Sequence, residues 1–176
     1  MKSYTVFYFA ILLSSCTSKQ QTDINSQLAG MYKLHSIEVQ DSAGVYHHDP
    51  SSDGTGYIVY DGKGHMAVHI TPKEYKEYQW VLPENESLYP EKVKEKMDGM
   101  SIDELKAALG EFVSNYVYVA NYSVSDSSNI ITHERLSHTI PSSWNTTVKR
   151  RFIFRGDTLE LHNDVAKRKL IWIKQK

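Results

Sequence analysis

The sequence predicts an all-β protein, an antiparallel up-and-down barrel of about eight or more short strands with one helical insert. Three observations predict it. Short runs rich in Tyr, Val, Ile and Thr recur along the chain, separated by turn formers such as Asp61-Gly62-Lys63-Gly64 and Arg155-Gly156-Asp157. The connections between most runs are local, as an antiparallel meander requires. Helical spacing with its own start and stop signals is confined to about residues 88–115. A meander of this kind closes into a barrel because closure removes exposed sheet edges.

The chain opens with Lys2 and an unbroken apolar run, Val6 to Leu13 (VFYFAILL), followed by Ser14, Ser15 and Cys16. The run is far shorter than the ~20 residues of a membrane-spanning helix and reads as the core of a secretory signal. Leu13-Ser14-Ser15-Cys16 resembles the bacterial lipobox, which implies a lipoprotein signal peptide over 1–15 and a thiol at Cys16 that accepts a diacylglyceryl group. The resemblance also implies anchoring in the bacterial cell envelope. Thr17 rather than Asp follows Cys16, which in that pattern implies the outer membrane. Residues 16–27 (CTSKQQTDINSQ) are then the lipidated cysteine and a flexible polar tether, and 28–176 the folded domain.

In the folded part the first strand is expected from Gly30 to about Val39, and turn formers fill 41–55. The segment GYIVYDGKGHMAVHI is the clearest hairpin. A turn centred on Asp61–Gly64 sets Tyr60 opposite His65, Ile58 opposite Ala67 and Gly56 opposite His69. The other face, Tyr57, Val59, Met66, Val68 and Ile70, is apolar throughout and is assigned to the interior. In the insert, Pro90 suits a first helical turn and Gly99 a stop. Ser101 and Glu104 form a capping box ahead of Ile102, Leu105, Ala108, Leu109, Phe112 and Val113 at helical spacing. Strands resume over Tyr116–Val124 and Asn129–Ile140. Pro141-Ser142-Ser143 then breaks the chain before VKRRFIFRGDTLELH and KRKLIWIK.

Bulk properties narrow the function. The 176 residues carry a net charge of −1 and show no basic stripe, so no nucleic-acid partner is expected. With Cys16 the single cysteine, the fold lacks disulfides and stands on its core. Tyr outnumbers Phe 12 to 5, which suits cavities that need an apolar ring with a polar tip.

Gly30-Met31-Tyr32 resembles the Gly-x-Trp signature of lipocalins, with Tyr in place of Trp. The ordered set LAGMYKLHSIEV, GYIVYDGKGHMAVHI, SIDELKAALGEF, YVANY, ITHERLSH, SSWNTTVKRRFIF and GDTLEL is similar to the bacterial and fungal lipocalin-like domain family from Leu28 to Ile173. Ala120 and Asn145 stand where that pattern leads one to expect glycine. The resemblance implies a lipocalin-like β-barrel with a ligand cavity and no named substrate.

ITHERLSHT has no apolar face. His133, Arg135, Ser137 and Thr139 alternate with Thr132, Glu134, Leu136 and His138, so polar groups must point inward whichever way the strand turns. A five-residue turn pairs Tyr122 with Thr132, and a four-residue turn pairs it with His133. Neighbouring strands offer Tyr118, Tyr122, Arg150 and Arg151. The residues expected to bind a small hydrophobic or amphipathic ligand are Tyr32, Tyr57, Val59, Met66, Val68, Tyr118, Tyr122, His133 and Arg151. No cofactor or metal is expected: His65 and His69, four apart on a strand, lie ~13 Å from each other, and His47-His48 has no third ligand in sequence. Two other classes stay open. A His with Tyr and Arg in an apolar cavity can move a proton, as in isomerases or cyclases. The segment 75–90, with Trp80 exposed or capping the mouth, could instead present the barrel to a protein partner in the envelope.

Overall fold

The first strand, β1 (Gly30–Gln40), is long enough to pair with three others. Its start pairs with β3 (Gly54–Tyr60) and its end with the short β2 (Tyr46–His48). Along its other edge it meets the last strand, β9 (Arg168–Lys174), from Tyr32↔Lys174 to Val39↔Arg168. Between them β4 (His65–Pro72), β5 (Tyr116–Ser125), β6 (Ile130–His138), β7 (Thr147–Arg155) and β8 (Thr158–Asn163) follow in chain order. All pairings are antiparallel, and the β1–β9 contact closes an eight-stranded barrel with β2 as an extra strand. This computed structural model describes residues 24–50, 53–73, 75, 86, 88–125 and 128–176. The expected signal at 1–15, Cys16 and Trp80 lie outside them.

The helical insert is α1 (Pro90–Asp98) and α2 (Ile102–Ser114) between β4 and β5. Pro90 starts α1, where its missing N–H costs no helical bond. Ser101 caps α2 through the amide of Glu104, and the Glu104 carboxylate takes the Ser101 amide at 2.7 Å. Of the apolar residues of α2 only Ala108 is fully buried, while Ile102, Leu109, Phe112 and Val113 are exposed.

Three features differ from the sequence reading. Residues 24–28 form a helical turn, so 24–27 are not part of a tether; Ile24 and Leu28, four apart, both pack into the barrel. The hairpin pairs Tyr60 with Met66, not His65, and Ile58 with Val68. Asp61 causes this by folding the turn around its carboxylate, which accepts from the amides of Lys63 and His65 at 2.6 and 2.9 Å. Gly62 and Gly64 supply the positive φ values, 73° and 107°. One extra turn residue reverses the faces of β3 relative to β4. Ile58 and Tyr60 therefore point inward with Met66 and Val68, whereas Tyr57 and Val59 lie outside, 39% and 40% exposed.

The third difference is in β6. Its register against β5 slips between Val119↔Ser137 and Ala120↔Arg135, leaving Leu136 as a bulge. Strict alternation separates His138 from His133 and Arg135. The bulge brings it back, so that His138 pairs with the inward Tyr118 and is itself buried. At the loop after β6, Asn145 adopts φ 54°, the left-handed conformation that explains an expected glycine there; among non-glycine residues Asn tolerates it well.

Candidate functional site

The barrel is filled at one end and hollow at the other. The filled end holds Tyr60, Met66, Tyr122, Val124, Ile131, Phe152 and Leu159 in one apolar cluster with Leu28. Tyr32 seals it, its single hydroxyl proton shared between the carbonyls of Gln27 and Leu28, each 3.0 Å away. Lys174 Nζ donates to the same Gln27 carbonyl. Burial lifts the Tyr32 hydroxyl to a pKa of about 12, with the Tyr122 hydroxyl adding to the effect. Tyr32, Met66 and Tyr122, three of the expected ligand contacts, are thus part of the packed floor and not of the hollow.

Above that floor lies a cavity of about 520 Å³. Its apolar walls include Ile37, Ile58, Val68, Ile70, Leu161 and Leu170. The lining reaches the loop end of the barrel at Asp53, Thr71, Pro72, Ser114 and Ala166. Val68, Tyr118 and His133 are the expected ligand residues that line it. Arg151 does not. Phe152 is buried in the core beside Phe154, so β7 turns Arg150 into the cavity and Arg151 out, where Asp164 takes its guanidinium at 2.9 Å. The alternation of Phe152 and Phe154 against Arg151, Ile153 and Arg155 was the available signal for choosing Arg150.

His133 anchors the polar part of the site. It is fully buried, and pairing of Tyr122 with His133 sets its place in β6. Its Nδ1 bonds the Tyr118 hydroxyl at 2.9 Å and its Nε2 the Tyr60 hydroxyl at 3.0 Å. A neutral imidazole donates from one nitrogen and accepts at the other, so one tyrosine receives the proton of the ring and the other gives its own. Burial, reinforced by the nearby positive charges of Arg150 and Arg135, lowers the His133 pKa to about 3. Burial likewise pushes the Tyr60 and Tyr118 hydroxyls well above their usual range. The triad is neutral at pH 7 and fully used in holding strands β3, β5 and β6 together.

Arg135 spans the wall next to it. Its Nη1 donates to Thr146 Oγ1 at 3.1 Å, its Nη2 reaches the Tyr116 hydroxyl at 3.5 Å, and its guanidinium carbon lies 5.4 Å from the Tyr118 ring centroid. Sequence reasoning missed Trp172 and left Arg135 and Arg150 unselected among its polar candidates: the β6 bulge hid the side of Arg135, and the alternation around Phe152 was not used for Arg150. The remaining histidines do not converge. His47, His48 and His65 each face one aspartate, Asp41, Asp53 and Asp61, and among the described residues no three His, Cys, Asp or Glu side chains are grouped to hold a metal.

An eight-stranded closed barrel with one hollow end matches a known pattern: the lipocalin-like domain family aligns with residues 29–175, nearly all of the described chain. The chain belongs to the lipocalin-like domain family. No curated protein matches it. Membership fits the geometry, since eight strands enclose just enough space for side chains plus one small ligand. In this lipocalin-like barrel the N-terminal turn and floor side chains fill one end of the interior, and the cavity lies toward the other.

Proposed function

We propose that this lipocalin-like protein binds one small hydrophobic or amphipathic ligand in its barrel and is held at the bacterial cell envelope by lipid on Cys16. The cavity is the observation that carries the binding reading: about 520 Å³, inside the range of small-molecule sites, with apolar walls and a few placed polar groups. Val68 and Tyr118 form the ligand's surroundings and His133 the polar base beneath it. The lipobox-like Leu13-Ser14-Ser15-Cys16 and Thr17 support the anchor and an outer-membrane location. Two or three acyl chains give stable attachment where one gives only marginal binding. His133, neutral and bonded at both nitrogens, favours positioning over proton transfer, so binding is preferred to catalysis.

Extraction of the full chain from membranes and native mass spectrometry test both halves of the proposal. The expected result is an N-terminal acylated Cys16 and a co-purified small molecule, released on unfolding. Cys16→Ser is expected to lose membrane attachment and keep the ligand. A protein that takes up no apolar ligand in any form overturns the binding reading, and an unmodified Cys16 overturns the anchor.

A further inference from the structure

We infer that the ligand carries an anionic head group, carboxylate or phosphate, which the barrel seats between Arg135, Arg150 and the indole N–H of Trp172. The inference rests on the binding reading above and adds the class of ligand. The groups that line the cavity are unbalanced. Among the described residues three guanidiniums, Arg135, Arg150 and Arg168, face it against a single carboxylate, Asp53. Asp53 already takes His48 at 2.8 Å, and Arg168 lies 3.9 Å from Asp49. Arg135 and Arg150 meet only neutral acceptors among the described residues: Thr146, Tyr116 and the Lys149 carbonyl.

Two orphaned atoms on cavity-lining residues point the same way. Trp172 is 1% exposed, lines the cavity, and its Nε1–H has no partner among the described residues. The Nε–H of Arg135 is likewise buried and unpaired. Both are donors, and buried donors without acceptors cost free energy until something supplies them. His133 cannot, because both of its nitrogens are bonded to tyrosines. A ligand group rich in acceptors and negatively charged satisfies the donors and balances the guanidiniums in one step, through charge-assisted bonds. A neutral hydroxyl or ester leaves both arginines without a counter-charge. The apolar walls contributed by Ile58, Val68 and Leu170 then take the ligand's hydrocarbon part.

Three probes with one chain length separate the possibilities: dodecanoate, dodecyl phosphate and dodecan-1-ol, each titrated at pH 7 into the delipidated full-length protein by calorimetry. At least one anion is expected to bind about tenfold or more tightly than the alcohol, as charge-assisted bonds imply. The ranking of the two anions then names the head group. Arg150→Met and, separately, Arg135→Met are expected to remove that preference, read within each variant as the ratio of anion to alcohol affinity. Trp172→Phe is expected to weaken the anion by a smaller factor. Equal binding of all three probes, or an anion preference that survives both arginine variants, overturns the inference and leaves the binding reading standing. Failure of every probe to bind overturns both.

Discussion

His133 shows what burial does to a single side chain. Folding holds its imidazole neutral down to about pH 3, whereas in the unfolded chain it protonates near ~6.5. Between those values the unfolded state binds more protons, so the stability that His133 preserves is complete above ~6.5 and drains away as pH falls toward about 3. Each unit of separation is worth ~1.4 kcal/mol, and the loss by pH 3 is on the order of several kcal/mol. Urea denaturation from pH 7 to pH 3 is expected to show it. In the native protein the His133 ring resonances are expected to stay fixed to about pH 4 by NMR, and titration near ~6.5 contradicts the burial argument. Tyr60→Phe and Tyr118→Phe each strip one partner from that ring, with an expected cost of ~1–3 kcal/mol in denaturation midpoints converted to free energy. Arg150 and Arg151 make the same point about position: neighbours in sequence, they stand on opposite faces of β7.

At the scale of elements, the strands and the insert differ in how firmly they are tied to the whole. A Cβ added at Gly54 on β3 would sit 2.1 Å from the Thr71 carbonyl oxygen of β4, against backbone that cannot yield. Gly54→Ala is therefore expected to lower the melting temperature clearly. Gly110, inside α2, has open space around its added Cβ, so Gly110→Ala is expected to stabilise the helix by ~0.5–1 kcal/mol through propensity alone. Ser101→Ala removes the α2 cap, worth ~0.5–2 kcal/mol, but α2 buries only Ala108 completely. Its effect is expected as faster hydrogen exchange over 102–106 with little change in global melting, and a large fall in global stability shows that α2 is better coupled than its burial indicates.

On the scale of the molecule, the two ends of the barrel have separate tasks. The N-terminal turn, Tyr32 and Lys174 close one end; the cavity reaches the other, at Thr71, Pro72, Ser114 and Ala166. A ligand seated in the native barrel and absent from the unfolded chain raises stability by ~2.7 kcal/mol at a hundredfold excess over its Kd. The melting temperature is thus expected to rise with dodecanoate concentration and to do so less in Arg150→Met.

How much of this was legible varied with the range of the interaction. The barrel class, most strand limits, Pro90, Gly99 and the Ser101–Glu104 box were all readable, because periodicity, turn chemistry and caps act over a few residues. Tyr57 and Val59 were placed on the wrong side because one additional turn position at Asp61–His65 reverses a whole face, and Arg151 because the alternation of Phe152 and Phe154 on β7 was not used. Tyr32, Met66 and Tyr122 pointed inward but into the packed floor, a distinction set by how far the turn at 24–28 enters the barrel. The sequence alone determined that an antiparallel barrel with a helical insert forms, since that information is local and repeated. Only the tertiary structure decided which polar groups share the cavity, because Arg135, Arg150 and Trp172 line it from strands that barrel closure brings round one hollow.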